Sequence, residues 1–300
     1  YVEEVRTKLA QLGWALPPHD DGLGGVRDPD STYEIFIKNI KTPDTLLYGY
    51  PIPEAPYNDP NQPPNYPDGY TSWIAIENDT INYTPSIPIY KRLKAFVAHE
   101  LHHASQFRYS SYTVDPVWFE ENTSVYFEDI MYYDVNTLPL RINEAGQDPL
   151  NDPDVGINWY HPTSTYSYAG GTWPTFLHEY YADSAVRKCW EIIGGGAGEN
   201  TLSGIDSALR VYSSNLSNAL KYYAVWRYFT GTRADAYHFS EASTWATSTI
   251  LRSHNSYPVT DDQDFDHPLS PGGTNYIVFN TPPSSLPLSF DGQDAYAWGA

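Results

Sequence analysis

An α+β fold is what this 300-residue sequence predicts, and three observations carry the expectation. Alternating stretches suited to strands stand early, at 33–40 and 71–77. Apolar residues at helical spacing then dominate from about 89 to 230. Beyond about residue 264, short strand-like runs separated by turns return. The expected division is an N-terminal segment at 1–20, a principal domain at 21–235, and a linker with the start of a β-sandwich-like module at 236–300. With 41% apolar residues the chain can bury a sizeable core.

Taken in order, residues 3–14 suit a short amphipathic helix ahead of the Pro17-Pro18 break. The 33–40 segment alternates as a strand should. Residues 51–69 hold many of the Pro and Asn residues and predict an extended loop. The 71–77 segment is the next strand. Ser86-Ile87-Pro88 opens a helix with proline near its first turn, and no proline follows before Pro116. Ile89, Leu93, Phe96, Val97, Ala104 and Phe107 then define one buried stripe. Asp115-Pro116 is a good cap and first-turn pair for another helix. Further helices are expected at 183–193, ended by Gly194-Gly195-Gly196, then at 203–212, and at 215–230, stopped by Gly231. Strands are expected at 275–279 and 286–290, followed by the Asp291-Gly292 turn.

Within the first long helix stands His99-Glu100-Leu101-His102-His103. This H-E-x-x-H pattern is the zinc signature of metalloproteases. Residues four apart share a helix face, so two imidazoles there can converge on one Zn²⁺ at about 2.0–2.1 Å. Glu100 is rotated about 100° round the helix and can reach a water on the metal without ligating it. His99 and His103 flank the apolar stripe. His102 falls on the opposite side with Lys91 and Ala98, which predicts a solvated surface histidine.

A catalytic zinc needs a third protein ligand and keeps its fourth position for water. On the next helix Trp118, Glu121, Val125, Glu128 and Tyr132 share one lane. An acid among large apolar residues on a core-facing lane is costly unless it coordinates something. Glu120 is turned away from that lane, and the expectation for it is a solvated carboxylate.

His99-Glu100-Leu101-His102-His103 followed by Trp118-Phe119-Glu120-Glu121-Asn122-Thr123-Ser124-Val125-Tyr126-Phe127-Glu128 resembles the gluzincin metallopeptidases, with seventeen residues between His103 and Glu121. The resemblance implies a thermolysin-like catalytic domain with an N-terminal sheet lobe and a helical lobe. It implies His99, His103 and Glu121 as zinc ligands, Glu100 as general base and Glu128 as a supporting acid. Asn122 departs from the family, where many members carry Gly or Ala. Tyr166-Ser167-Tyr168-Ala169-Gly170-Gly171 resembles the Tyr-x-x-Gly start of a downstream gluzincin helix. By that resemblance Tyr168 would stabilise an oxyanion, with Tyr166 and His161 as alternatives, and Glu179 falls where many members carry an acid. The order of parts, including Tyr48-Gly49-Tyr50-Pro51, is most similar to a group of secreted bacterial and archaeal gluzincins. The likeness covers roughly residues 30–232.

Composition narrows the partners. The net charge is −20, with 17 basic against 37 acidic residues, and no basic run suited to phosphates exists. Nucleic acid is therefore not an expected partner. No apolar stretch approaches the ~20 residues of a membrane span. The one cysteine, Cys189, has no internal disulfide partner and is expected inside a helix. A start at Tyr1 and a Tyr-, Trp-, Pro-, Asn- and Thr-rich composition suggest a processed, secreted protein. Asp262, Asp264 and Asp266 alternate in a way that could hold Ca²⁺, but they lack the Gly and distal Glu of an EF-hand loop. An acidic surface loop is the plainer expectation there. The pattern fixes no oligomeric state.

The functional expectation is a zinc endopeptidase acting on peptide or protein substrates. The 71–77 strand is expected to edge the cleft and pair with substrate backbone. The resemblance leaves an aminopeptidase as the rival, because Glu77-Asn78 ends like that branch's amine-anchoring motif, although the motif's Gly is missing. A catalytically silent adhesion module is the alternative from another class.

Overall fold

Strand β3 (Tyr70–Glu77) is the centre of a three-stranded sheet in the order β1-β3-β2. Strand β1 (Ile35–Lys38) runs parallel to it and β2 (Gly49–Pro56) antiparallel. The computed structural model describes residues 1–18, 33–40, 48–57, 66–78, 87–110, 117–143, 146–161, 164–195, 200–260 and 269–289. The mixed α+β class agrees with the sequence expectation.

Two details of the sheet correct that expectation. Residues 51–56 are not loop: they form most of β2, despite three prolines. Strand β3, expected at the cleft edge, is hydrogen-bonded on both sides and has no free edge. The prolines explain how β2 takes the edge instead. Glu77 N–H donates to Tyr48 C=O at 2.8 Å, so the alternation turns Tyr50 and Ile52 backbone groups towards β3. Gly49, Pro51 and Pro53 then point their backbone groups outward, where a missing N–H costs no ladder bond. Among these three positions only Gly49 offers an edge N–H.

One face of the sheet packs on α2 (Ile89–Gln106), an 18-residue helix at the centre of the molecule. Pro88 precedes its first residue, with φ −56° and ψ 141°, as a proline entering a helix permits. From Ala95 to Gln106 every residue of α2 is buried. The sheet covers one side, α3 (Val117–Met131) another, and α1 (Val2–Gln11) a third. Ile89 lies outside this enclosure and is 58% exposed, contrary to its place in the predicted stripe. A helix enclosed on all sides carries no single apolar stripe over its buried part.

The chain continues through α4 (Thr137–Asn143), α5 (Tyr166–Ala169), α6 (Thr172–Tyr180), α7 (Ala185–Gly195), α8 (Thr201–Val211) and α9 (Leu216–Tyr228). Asn200 and Asn215 cap α8 and α9 by accepting from Ser203 and Asn218 N–H. Helix α4, with a proline inside a seven-residue span, was not expected. Cys189 is buried in α7, as its sequence context predicted, and burial pushes its thiol up to about 12. After α9, Phe239, Ala242 and Trp245 join the core. A short parallel pair follows, β4 (Arg252–His254) with β5 (Ile277–Phe279). Residues 286–289 carry no strand, and Asp262, Asp264, Asp266, Asp115 and Pro116 lie outside the described residues. Among the described residues, no helix is long and apolar enough to cross a membrane.

Candidate metal centre

Helices α2 and α3 pack side by side, and the pairing brings three side chains of the sequence pattern to one point. His99 Nε2 and His103 Nε2 lie 3.0 Å apart, and Glu121 Oε2 is 3.2 Å from the first and 3.6 Å from the second. Tetrahedral ligands about 2.0–2.1 Å from a zinc ion sit about 3.3 Å from one another. The three atoms therefore have the mutual spacing of a metal's ligand set. His99, His103 and Glu121 could hold a metal ion, and they are the one such group among the described residues.

The rings are held from behind. His99 Nδ1 is 2.6 Å from Glu128 Oε1, and His103 Nδ1 is 2.8 Å from Gln106 Oε1. With each Nδ1–H donated to an oxygen, both Nε2 lone pairs point into the cluster. Two facing ring nitrogens and a carboxylate favour a positive charge between them, which a proton or a metal cation can supply. The electrostatics agree. Burial works against a charged His99, but the contacts with Glu121 and Glu128 outweigh it and push its pKa up to about 10. Burial likewise disfavours a charged Glu121, yet His103 and His99 hold its carboxyl well below the usual range. The donor set fits Zn²⁺, whose ligands are imidazole nitrogens and carboxylate oxygens.

Glu100 is buried beside this cluster but is not part of it. Its Oε2 has no hydrogen-bond partner. Burial pushes its pKa up to about 7, against the lowering influence of His99 and His103. A carboxyl poised near neutrality can exchange a proton at physiological pH. Gly49 of β2 faces it closely: a Cβ at that position would lie 2.6 Å from Glu100 Cγ and Oε1.

Tyr168 lies beside the cluster, its ring stacked on His99 with centroids 6.0 Å apart. The nearby Glu121 charge, then burial, raises its hydroxyl well above the usual value, so it stays a proton donor. The alternatives are elsewhere. Tyr166 is buried and donates to Val155 C=O, and His161 is exposed against Trp159. Glu179 accepts from Ser240 N–H and Oγ–H, away from the cluster.

Other expectations are corrected. His102 is fully buried rather than solvated, edge-on to Trp14 and stacked on Phe127. Gln106 Nε2 donates to its Nδ1 at 2.9 Å, and burial keeps the ring neutral by pulling its pKa well down. Its side of α2 is covered by Trp14, just beyond α1, and by α3. Glu120 is also buried, with neither carboxyl oxygen partnered, and burial raises its pKa well above the ordinary value. Glu77 is buried and accepts from Ile40 N–H at 2.7 Å. The register pairs Gly49 with Ile76, so Glu77 points from the opposite face of β3, away from Glu100.

Sequence reasoning missed Gly49 as a constraint on Glu100, since only the packing of β2 on α2 reveals it. It also missed Tyr160, a half-exposed residue whose hydroxyl is raised by burial and by the charges of Glu121 and Glu120. Comparison with protein-family models, with curated proteins and with solved structures finds no match for this chain.

Proposed function

We propose that the chain is a zinc-dependent peptidase of gluzincin type, hydrolysing bonds inside peptide chains. One observation carries the reading: an H-E-x-x-H helix and a glutamate from the next helix converge on one point, with a buried, half-unpartnered Glu100 beside it. The succession of small sheet, α2 and α3 is compatible with a thermolysin-like arrangement.

Zinc at His99, His103 and Glu121 would supply Lewis acidity, towards a water and towards the scissile carbonyl. Glu100 takes the water's proton on its free oxygen and delivers it to the departing amine. Tyr168 donates its hydroxyl hydrogen to the developing oxyanion. Glu128 and Gln106 fix the two imidazoles so that neither ring turns away. The outward backbone of Gly49, Pro51 and Pro53 is the edge for an extended substrate, in place of β3. An extracellular setting suits the composition.

The burial of Glu77 on the far face of β3 favours an endopeptidase over an aminopeptidase, which needs a carboxylate in the cleft for the substrate's ammonium. A silent adhesion module would have no need for Glu100 to sit unpartnered beside three ligand atoms. The test is digestion of a peptide mixture before and after N-terminal acetylation, with Glu100→Gln as control. Internal cleavage unchanged by acetylation and abolished in the variant is expected. Stepwise release of amino acids, blocked by acetylation, would establish the aminopeptidase, and equal turnover by Glu100→Gln would end the peptidase reading.

A further inference from the structure

One helical lane from the metal cluster, α3 and α6 enclose a second convergence of carboxylates. Asp129 of α3, Tyr133 just beyond its end, Glu179 of α6 and Glu241 line a cleft of about 160 Å³ walled by Tyr126 and His178. Asp129 is 8% exposed and Glu241 7%, yet Asp129 Oδ1 has no hydrogen-bond partner. Glu241 accepts from Asn136 Nδ2 at 3.3 Å and from the Tyr133 hydroxyl, and Glu179 is satisfied by Ser240. Among the described residues, no lysine or arginine forms an ion pair with any of the three acids. A buried Asp129 carboxylate without a partner, beside two further acids in one partly enclosed cleft, costs stability when ionised unless a cation meets it.

We propose that this cleft binds the guanidinium of an arginine side chain presented by a peptide or protein. A bare metal ion is disfavoured by the spacing. The carboxylate oxygens do not gather within 4.8 Å of one another as the His99 group does, whereas Ca²⁺ needs all its oxygens at about 2.3–2.6 Å. A planar fork of five N–H donors bridges separated carboxylates and stacks on aromatic faces, and Tyr126, Tyr133 and His178 supply those faces. The volume is below the roughly 300–1,000 Å³ of small-molecule sites, which suits one side chain rather than a whole ligand. The proposal does not depend on the metal centre or on peptidase activity.

Calorimetric titration with Nα-acetyl-arginine amide tests it, with the neutral isostere Nα-acetyl-citrulline amide and calcium chloride as the other titrants. Saturable binding of the arginine compound is expected, at least tenfold tighter than the citrulline compound and undiminished by calcium. Asp129→Asn and Glu241→Gln should each weaken it at least tenfold while keeping the wild-type far-UV spectrum. Both substitutions are nearly isosteric and remove an acid from a cluster of like charges. Equal binding of the two compounds, no saturable binding to the wild type, unchanged affinity in both variants, or displacement by stoichiometric calcium would each overturn the proposal.

Discussion

Gly49 leaves the space that Glu100 occupies: a β-carbon on Gly49 would stand 2.6 Å from Glu100 Cγ and 2.7 Å from Cδ. Its φ is not in the left-handed region, so the glycine supplies room rather than an unusual backbone angle. The edge strand and the central helix thereby fix one carboxylate between them. Gly49→Ala should lower kcat by about tenfold or more with zinc content unchanged, because a displacement of 1 Å at a reacting group can cost 10²-fold. Wild-type turnover in that variant would show that Glu100 tolerates displacement.

Glu100→Gln should keep the fold and the zinc and lose hydrolysis by roughly 10²–10⁴-fold, since an amide cannot take the proton. Metal analysis and peptide turnover on the same sample separate this from a misfolded site.

Glu128 accepts from His99 Nδ1 at 2.6 Å inside the protein. Glu128→Gln should weaken zinc by about 10–100-fold, the usual effect of losing a partner behind a metal-bound histidine. Competition with a chromogenic chelator measures it, and an unchanged affinity would mean the ring needs no anchor.

Tyr168→Phe removes the hydroxyl but keeps the ring stacked on His99. It should lower kcat by about 10²–10³-fold with little change in KM, as loss of an oxyanion donor does. A change confined to KM would reassign Tyr168 to substrate binding.

Asp129 gives a pH signature of stability. Burial first, then Glu241, Glu128 and Glu179, pushes its carboxyl up to about 8, against about 3.9 in an unfolded chain. Between those values the folded state holds the proton and the unfolded state has released it. This contribution is therefore full below about pH 4 and is lost as pH rises through about 8. In the absence of a cationic ligand, Asp129→Asn should flatten the fall in melting temperature between pH 5 and 8. Parallel wild-type and variant curves would show that Asp129 does not carry the dependence.

Much of this centre was legible in the chain because it is local. The four-residue spacing of His99 and His103 and the lane shared by Trp118, Glu121, Val125 and Glu128 are properties of single helices, and packing α2 on α3 only had to bring the lanes together. The strands at 33–40 and 71–77 were readable for the same reason. What failed depends on neighbours distant in sequence. His102 looked solvated until Trp14 and Phe127 covered it. Glu120 looked solvated although its whole side chain is enclosed. Proline-rich β2 read as loop because its prolines fall on outward-facing positions, which no local rule reveals. The role of β3 as a cleft edge was misassigned for the same cause: strand order is a tertiary property.

Zinc content per chain, measured after dialysis against a mild chelator, tests the central claim most directly. One zinc is expected in the wild type and in Glu100→Gln, and none in His99→Ala or His103→Ala, since Glu121 with a single imidazole does not hold the ion. A wild-type protein that binds no zinc, or a His103→Ala protein that still holds one per chain, would contradict it.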